Sequence, residues 1–197
     1  TLFRSYNNVF TPIDEMPEDL RSHVRYSQEM FDVQSDIYRT YHMKNTNVFY
    51  NKEDQWDIPR QIYGASKEIM DVESAYMIMK LPDRNEEFTL MVPYTAKEKD
   101  NMIAWMSVMN DLDSYGEIVV YTFPKQSLVY GPMQIEQRID QDTVISPQLT
   151  LLGQQGSQVI RGNMLAIPIE ESLLYVEPIY LITQSTYSIF SNSIYLF

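Results

Sequence analysis

Cysteine is missing from the chain, which excludes disulfides, thiolate nucleophiles and cysteine metal sites. The compartment stays open, because a chain of 197 residues can build a core without disulfide staples. Basic residues are scarce: 15 Lys and Arg face 27 Asp and Glu, a formal net charge of −12. Nucleic-acid binding draws most of its affinity from neutralising phosphates, so nucleic acid is not expected as a partner. Anionic lipid headgroups are disfavoured on the same ground. No apolar run reaches the roughly 18 residues of a membrane span, and no signal peptide opens the chain. Its first residue is Thr1 rather than Met, which reads as a processed protein or an excised fragment. Nucleophile elbows, zincin motifs and phosphate loops are also absent, so no catalytic class is signalled.

What is present is ordinary globular composition, 44% hydrophobic and 21% charged. The densest apolar stretch runs from Gly156 to Thr183, where two runs flank the link Glu170-Glu171-Ser172. It reads as a β-hairpin, and because both faces of both arms are largely apolar, it is expected in the middle of a covered sheet. Pro168 and Pro178 cannot donate to a ladder, so each is expected at a bulge or where its missing N–H faces away from a partner.

Earlier in the chain, Met16 to Val24 predicts a short helix with Pro17 in its first turn. Ser27 caps a longer one, with Met30, Gln34, Ile37 and Tyr41 on one stripe and Phe31 and Tyr38 broadening it. Asn45 caps a further turn before the break at Pro59, and Arg60 to Ser74 reads as a surface connector where a domain seam could fall. AYMIMKL and EFTLMV predict strands joined by the turn Pro82-Asp83-Arg84-Asn85. The run KEKDNMIAWMSVMN has Met102, Met106 and Met109 at helical spacing and predicts a helix; GEIVVYTFP predicts a strand. Gly131-Pro132 starts a helix bearing Ile135 and Ile139, and a second, Pro-containing helix ends at Gly153 or Gly156. The methionines of the middle third read as core. The tail from Gln184 to Phe197 reads as an edge strand or a poorly ordered end. A single unit over 1–197 is expected, divisible into a helical N-terminal lobe, 1–60, and an α+β part, 75–183.

Few residues suggest chemistry. His23, Arg25 and Tyr26 form one histidine neighbourhood, and a His beside an acid or base can move protons. His42 closes a helix, where the macrodipole favours an imidazolium, so its reading is structural. Asp54 beside Trp56 could grip a sugar by stacking and hydrogen bonding, although one buried aromatic in a solvated turn explains it better. Glu53 with Asp57 or Asp54 is a candidate carboxylate pair for a polymer hydrolase. Asp111 and Asp113 open a D-x-D-x-x-G string that resembles a calcium loop, but position twelve is Thr122 rather than Glu, and a helix-to-strand turn is the default.

Three segments, Met16 to Trp56, Val129 to Ile169 and Ser172 to Leu181, with the strings YGP-Q and LLYVEP-Y, resemble uncharacterised protein family (UPF) 182. That resemblance implies part of the extracytoplasmic region of a large bacterial multi-pass membrane protein, whose transmembrane helices lie outside this stretch. It carries no catalytic residues across. The resulting expectation is an α+β module, mainly antiparallel sheet with a central hairpin over about 157–183 covered by helices, serving binding or assembly and not catalysis. Its expected partners are its own transmembrane region or envelope components, and no cofactor is expected, calcium at Asp111 and Asp113 being the one candidate. The alternatives are the hydrolase above and a purely structural part packing on its own transmembrane bundle.

Overall fold

The computed structural model describes residues 9–80, 84–124, 126–154, 156–169, 172–183, 186–188 and 194–196. The fold is α+β, with mostly antiparallel sheets and, among the described residues, five α-helices. Pro82, Asp83 and the hairpin link Glu170-Glu171 lie outside the described residues.

The N-terminal part holds α1 (Glu18–Arg21), α2 (Gln28–Tyr41) and α3 (Thr46–Asn51). The Ser27 side chain accepts from the Met30 N–H to start α2, and Asn45 accepts from Asn47 and Val48 to start α3, as both caps predict. The buried side of α2 is not the stripe expected from spacing. Phe31 and Ser35 turn inward, while Met30, Ile37 and Tyr41 face out.

The large sheet takes the order β1 (Trp56–Asp57), β5 (Glu86–Ala96), β6 (Met102–Met109), β7 (Ile118–Thr122), with β4 (Ala75–Lys80) pairing the first half of β5. Two predictions change here. The run from Lys97 to Asn110, expected as a helix, contains strand β6, buried along almost its whole length. A central strand covered on both faces is a continuous apolar run, and its methionines match helical spacing by coincidence. The expected connector is a hairpin of β2 (Arg60–Tyr63) and β3 (Glu68–Asp71), tied to the rest by Gln61, whose Nε2 donates to Asn163 Oδ1 at 2.8 Å and whose Oε1 accepts from Met164 N–H at 2.8 Å. Pro93 is tolerated inside β5 because it falls between the stretches that pair with β4 and β1, where β5 has no strand partner on that side.

Alternation sorts the core. Leu90, Val92 and Tyr94 of β5 with Ala104, Met106 and Val108 of β6 meet Phe31 and Trp56 on the α2 side. Met91, Trp105 and Met109 meet Met79 on the other. Fully burying side chains of this size is worth about 1.5–3 kcal/mol each. A third cluster joins Ile135 and Ile139 of α4 (Pro132–Gln141) to Met102, Met164, Ala166, Leu173 and Tyr175. Helix α5 (Ile145–Leu152) follows and ends at Gly153.

The C-terminal hairpin exists and is bent. Its near half pairs β9 (Leu165–Ile169) with β10 (Ser172–Val176), and its far half pairs β8 (Ser157–Arg161) with β11 (Ile179–Thr183). Between the paired positions 161/179 and 165/176 one arm has residues 162 to 164 and the other only 177 and 178, so one residue is extra. Such a bulge bends the pair and sends its halves into two three-stranded sheets. Pro178 sits at the bulge, and Pro168 lies on β9, an edge strand among the described residues, as their chemistry requires. Both halves gain a strand from the tail: β12 (Thr186–Ser188) pairs with β11 and β13 (Ile194–Leu196) with β10.

Candidate functional site

Helix α4 positions the chemistry on its flanks. Pro132 sets its first turn, and the Gln134 side chain accepts from the Gly131 N–H at 3.0 Å. Residue 131 must be glycine: a Cβ there would lie 1.9 Å from the Asp100 carbonyl oxygen. Ile135 and Ile139 anchor the helix in the core, leaving Glu136 and Asp140 one turn apart on one flank and Arg138 on another.

On the first flank, Arg161 at the end of β8 gathers three carboxylates. Its Nη1 donates to Glu136 Oε2, its Nη2 donates to Asp140 Oδ1, and its Nε lies 3.8 Å from Glu177 Oε1. The side chains of Arg161, Glu136 and Glu177 are 3%, 0% and 1% exposed. Burial, then the charge of Glu136, pushes the Glu177 carboxyl up to about 8, so it holds its proton at neutral pH. Burial also raises Glu136, against the pull of Arg161. Burial works against the guanidinium charge too, but Glu177, Glu136 and Asp140 outweigh it and raise its pKa. Glu177 and Glu136 share a side-chain hydrogen bond, which raises Glu177 and lowers Glu136. A carboxylic acid titrating near 8 is chemically suited to general acid work. The Glu177 side chain is itself 1% exposed, and the cluster clamps α4 to the hairpin bend, with Asp140 and Arg161 at the edge of a cleft of about 360 Å³. Gly162 lets the two arms close there, since a Cβ would lie 2.6 Å from Pro178 Cγ.

On the other flank a cavity of about 820 Å³ opens between β6, residues 123–124 and 127–130, α4 and the β9–β10 hairpin. Trp105, Phe123, Tyr130, Leu173 and Tyr175 form its walls, and Arg138 sits on its rim with the guanidinium 4.1 Å over the Tyr130 ring. The aromatic wall is braced. Trp105 stacks on Tyr121 at 5.1 Å and tilts against Phe123 at 5.1 Å, and Tyr175 donates its hydroxyl to the Tyr130 carbonyl. A mostly apolar cavity of this size with a few polar groups at its edge is the usual form of a small-molecule site. A smaller cleft of about 340 Å³, lined by Arg39, Asp57, Arg60 and Asp100, holds charges that already meet each other as Arg39 with Asp57 and Arg60 with Asp100.

The residues singled out in the sequence lie apart from both flanks. His23 and Arg25 are exposed, with the Arg25 guanidinium 4.5 Å over Phe88. Tyr26 donates its hydroxyl to Gln34 Oε1 at 2.8 Å and its N–H to Asn110 Oδ1 at 2.7 Å. These residues sit before the start of α2, whereas Trp56 packs against His42 at its far end, a helix length of about 20 Å away. Trp56 is 7% exposed and stacks on His42 at 4.0 Å, so its ring is a core element and no free face remains for a sugar. Asp54 is exposed beside it. Of the proposed carboxylate pair, Glu53 accepts from Asn51 Nδ2 at 3.0 Å, and Asp57 is held by Arg39 and by the Glu98 N–H. Asp111 accepts from the Phe88 N–H at 3.0 Å in a strand-to-strand turn, and Asp113 is exposed in the same turn. Among the described residues no three His, Asp or Glu side chains converge as a metal site.

Glu136, Arg161 and Glu177 are not singled out in the sequence reading, although a signal exists for the last two. Arg161 and Glu177 are each a lone charge inside an apolar run, Val159-Ile160-Arg161-Gly162 and Tyr175-Val176-Glu177-Pro178, whereas Glu136 stands among the polar residues Gln134, Gln137 and Arg138 and carries no such mark. Charges inside apolar runs are rarely buried unless paired.

A family described as Uncharacterised protein family (UPF0182) matches residues 1–152. The chain belongs to that family. A UPF0182 protein of Pelotomaculum thermopropionicum is 51% identical over 182 residues, covering 92% of this chain and 20% of that protein. UPF0182 proteins of Methanospirillum hungatei and Desulforamulus reducens are 54% and 53% identical over 182 residues, 92% of this chain and 20% and 19% of theirs. This UPF0182 chain therefore spans about a fifth of the length of the curated relatives it matches. No solved structure matches it.

Proposed function

We propose that this part of UPF0182 is a binding module on the extracytoplasmic side of a polytopic membrane protein, and that the cavity beside Trp105 holds an amphipathic molecule. The observation that carries the reading is the cavity itself, about 820 Å³ with a braced aromatic wall and a cation at its rim. The aromatic rings take an apolar body, and the polar head stays at the open rim. Catalysis has no comparable support, since the carboxyl with the most displaced titration is sealed in the core.

The chain has two tryptophans, so Trp56→Phe leaves Trp105 as the sole reporter. Titration with lauric acid is expected to shift Trp105 emission and raise the melting temperature by several degrees, as a ligand at a hundred times its Kd stabilises by about 2.7 kcal/mol. Leu173→Glu should abolish both changes. An unresponsive Trp105 up to the solubility limit overturns the ligand assignment. The placement is tested apart from it: external protease on intact cells making the full-length protein should cut this region, and its protection overturns an extracytoplasmic location.

A further inference from the structure

Helix α2 has two apolar sides and only one of them is covered. Phe31 is 0% exposed beneath it, while Met30, Val33, Ile37 and Tyr41, spaced three, four and four residues apart, are 55%, 60%, 52% and 70% exposed. This is one continuous outer stripe, and Tyr41 carries it on to α3 through a ring contact with Phe49 at 5.7 Å. The arm leading into α1 is barer still. Residues 9 to 20 contain no buried side chain, yet they include Val9, Phe10, Ile13 and Leu20 at 69%, 51%, 47% and 61% exposure. Contiguous apolar surface of this kind on a folded domain marks a contact with something else.

We infer that this surface is covered, in the full-length protein, by a segment of the same polypeptide lying outside these 197 residues. Two observations select that occupant. About four-fifths of each matched relative lies outside the region in common, so most of the full-length polypeptide is available and tethered. A tethered partner acts at a high effective concentration, so a narrow stripe suffices where a second copy would need a larger interface. The stripe is edged along one side of α2 by Glu29 and by Asp36, which also pairs with Arg39 at 2.7 Å, on a chain of net charge −12. An anionic lipid surface is repelled there, and a helix or strand with an apolar stripe edged by Lys and Arg fits. The inference is independent of the Trp105 cavity.

The test uses the full-length protein in its own membrane, with the photo-crosslinker p-benzoylphenylalanine replacing Ile37 or, as a conservative aromatic exchange, Tyr41. Lys52, exposed on the neighbouring turn, is the control position. The expected result is a crosslink from 37 and 41, absent from 52, that migrates as a monomer and maps to a peptide of the same chain outside this region. A dimer, a lipid adduct or no crosslink at either position overturns the inference.

Discussion

Helices α2 and α4 depart from the ordinary amphipathic pattern in opposite directions. Helix α4 sinks a glutamate to 0% exposure, whereas α2 leaves Met30, Ile37 and Tyr41 more than half in water. The difference lies in where each helix finds its partners. Arg161 reaches α4 from inside the domain, so its charge is answered locally. Nothing among the described residues answers the outer stripe of α2. One helix is therefore finished by this fold, and the other is half an interface.

The largest expected effect tests the finished side. Arg161→Met leaves two buried carboxyls without their cation and should cost about 3–5 kcal/mol, read as a lower urea midpoint. If the cost is under 1 kcal/mol, α4 does not depend on the clamp and the contrast with α2 collapses. Next comes Glu177→Gln. The native carboxyl titrates near 8 against 4.5 for an ordinary one, so between those pH values the unfolded chain has lost a proton that the folded chain keeps. This group's contribution is complete below pH 4.5 and shrinks as pH rises toward 8. The exchange should flatten the fall of stability across that window, and an unchanged pH slope would mean that Glu177 is not the titrating group. The smallest effect belongs to the open side: Ile37→Ser should change the stability of this region by no more than about 0.5 kcal/mol, since it alters only exposed surface. A larger loss in melting temperature would show that the stripe already packs within the domain.

The sequence is most readable where a signal is local. Ser27 and Asn45 announce their helices because a cap needs only the next three residues, and the C-terminal hairpin shows because its partners are neighbours in the chain. Strand β6 misleads because burial on both faces erases alternation. The β2–β3 hairpin is hidden because its strands show no apolar alternation. The clamp is the least visible, since Glu136 and Arg161 lie 25 residues apart and a charge in sequence reads as surface until its partner is placed. The aromatic cavity is of the same kind: Trp105 and Leu173 come from separate sheets, and no spacing rule links them.

A chain without cysteine still has a cross-link. Arg161 joins residues 136 and 177, closing loops of 25 and 16 positions (161 − 136 and 177 − 161). A disulfide at such a place would persist after unfolding and restrict the unfolded chain. This ionic tie dissolves with the fold and leaves the unfolded ensemble unrestrained. Reducing agents and oxidants therefore leave it untouched, and its strength follows the proton concentration around the protein.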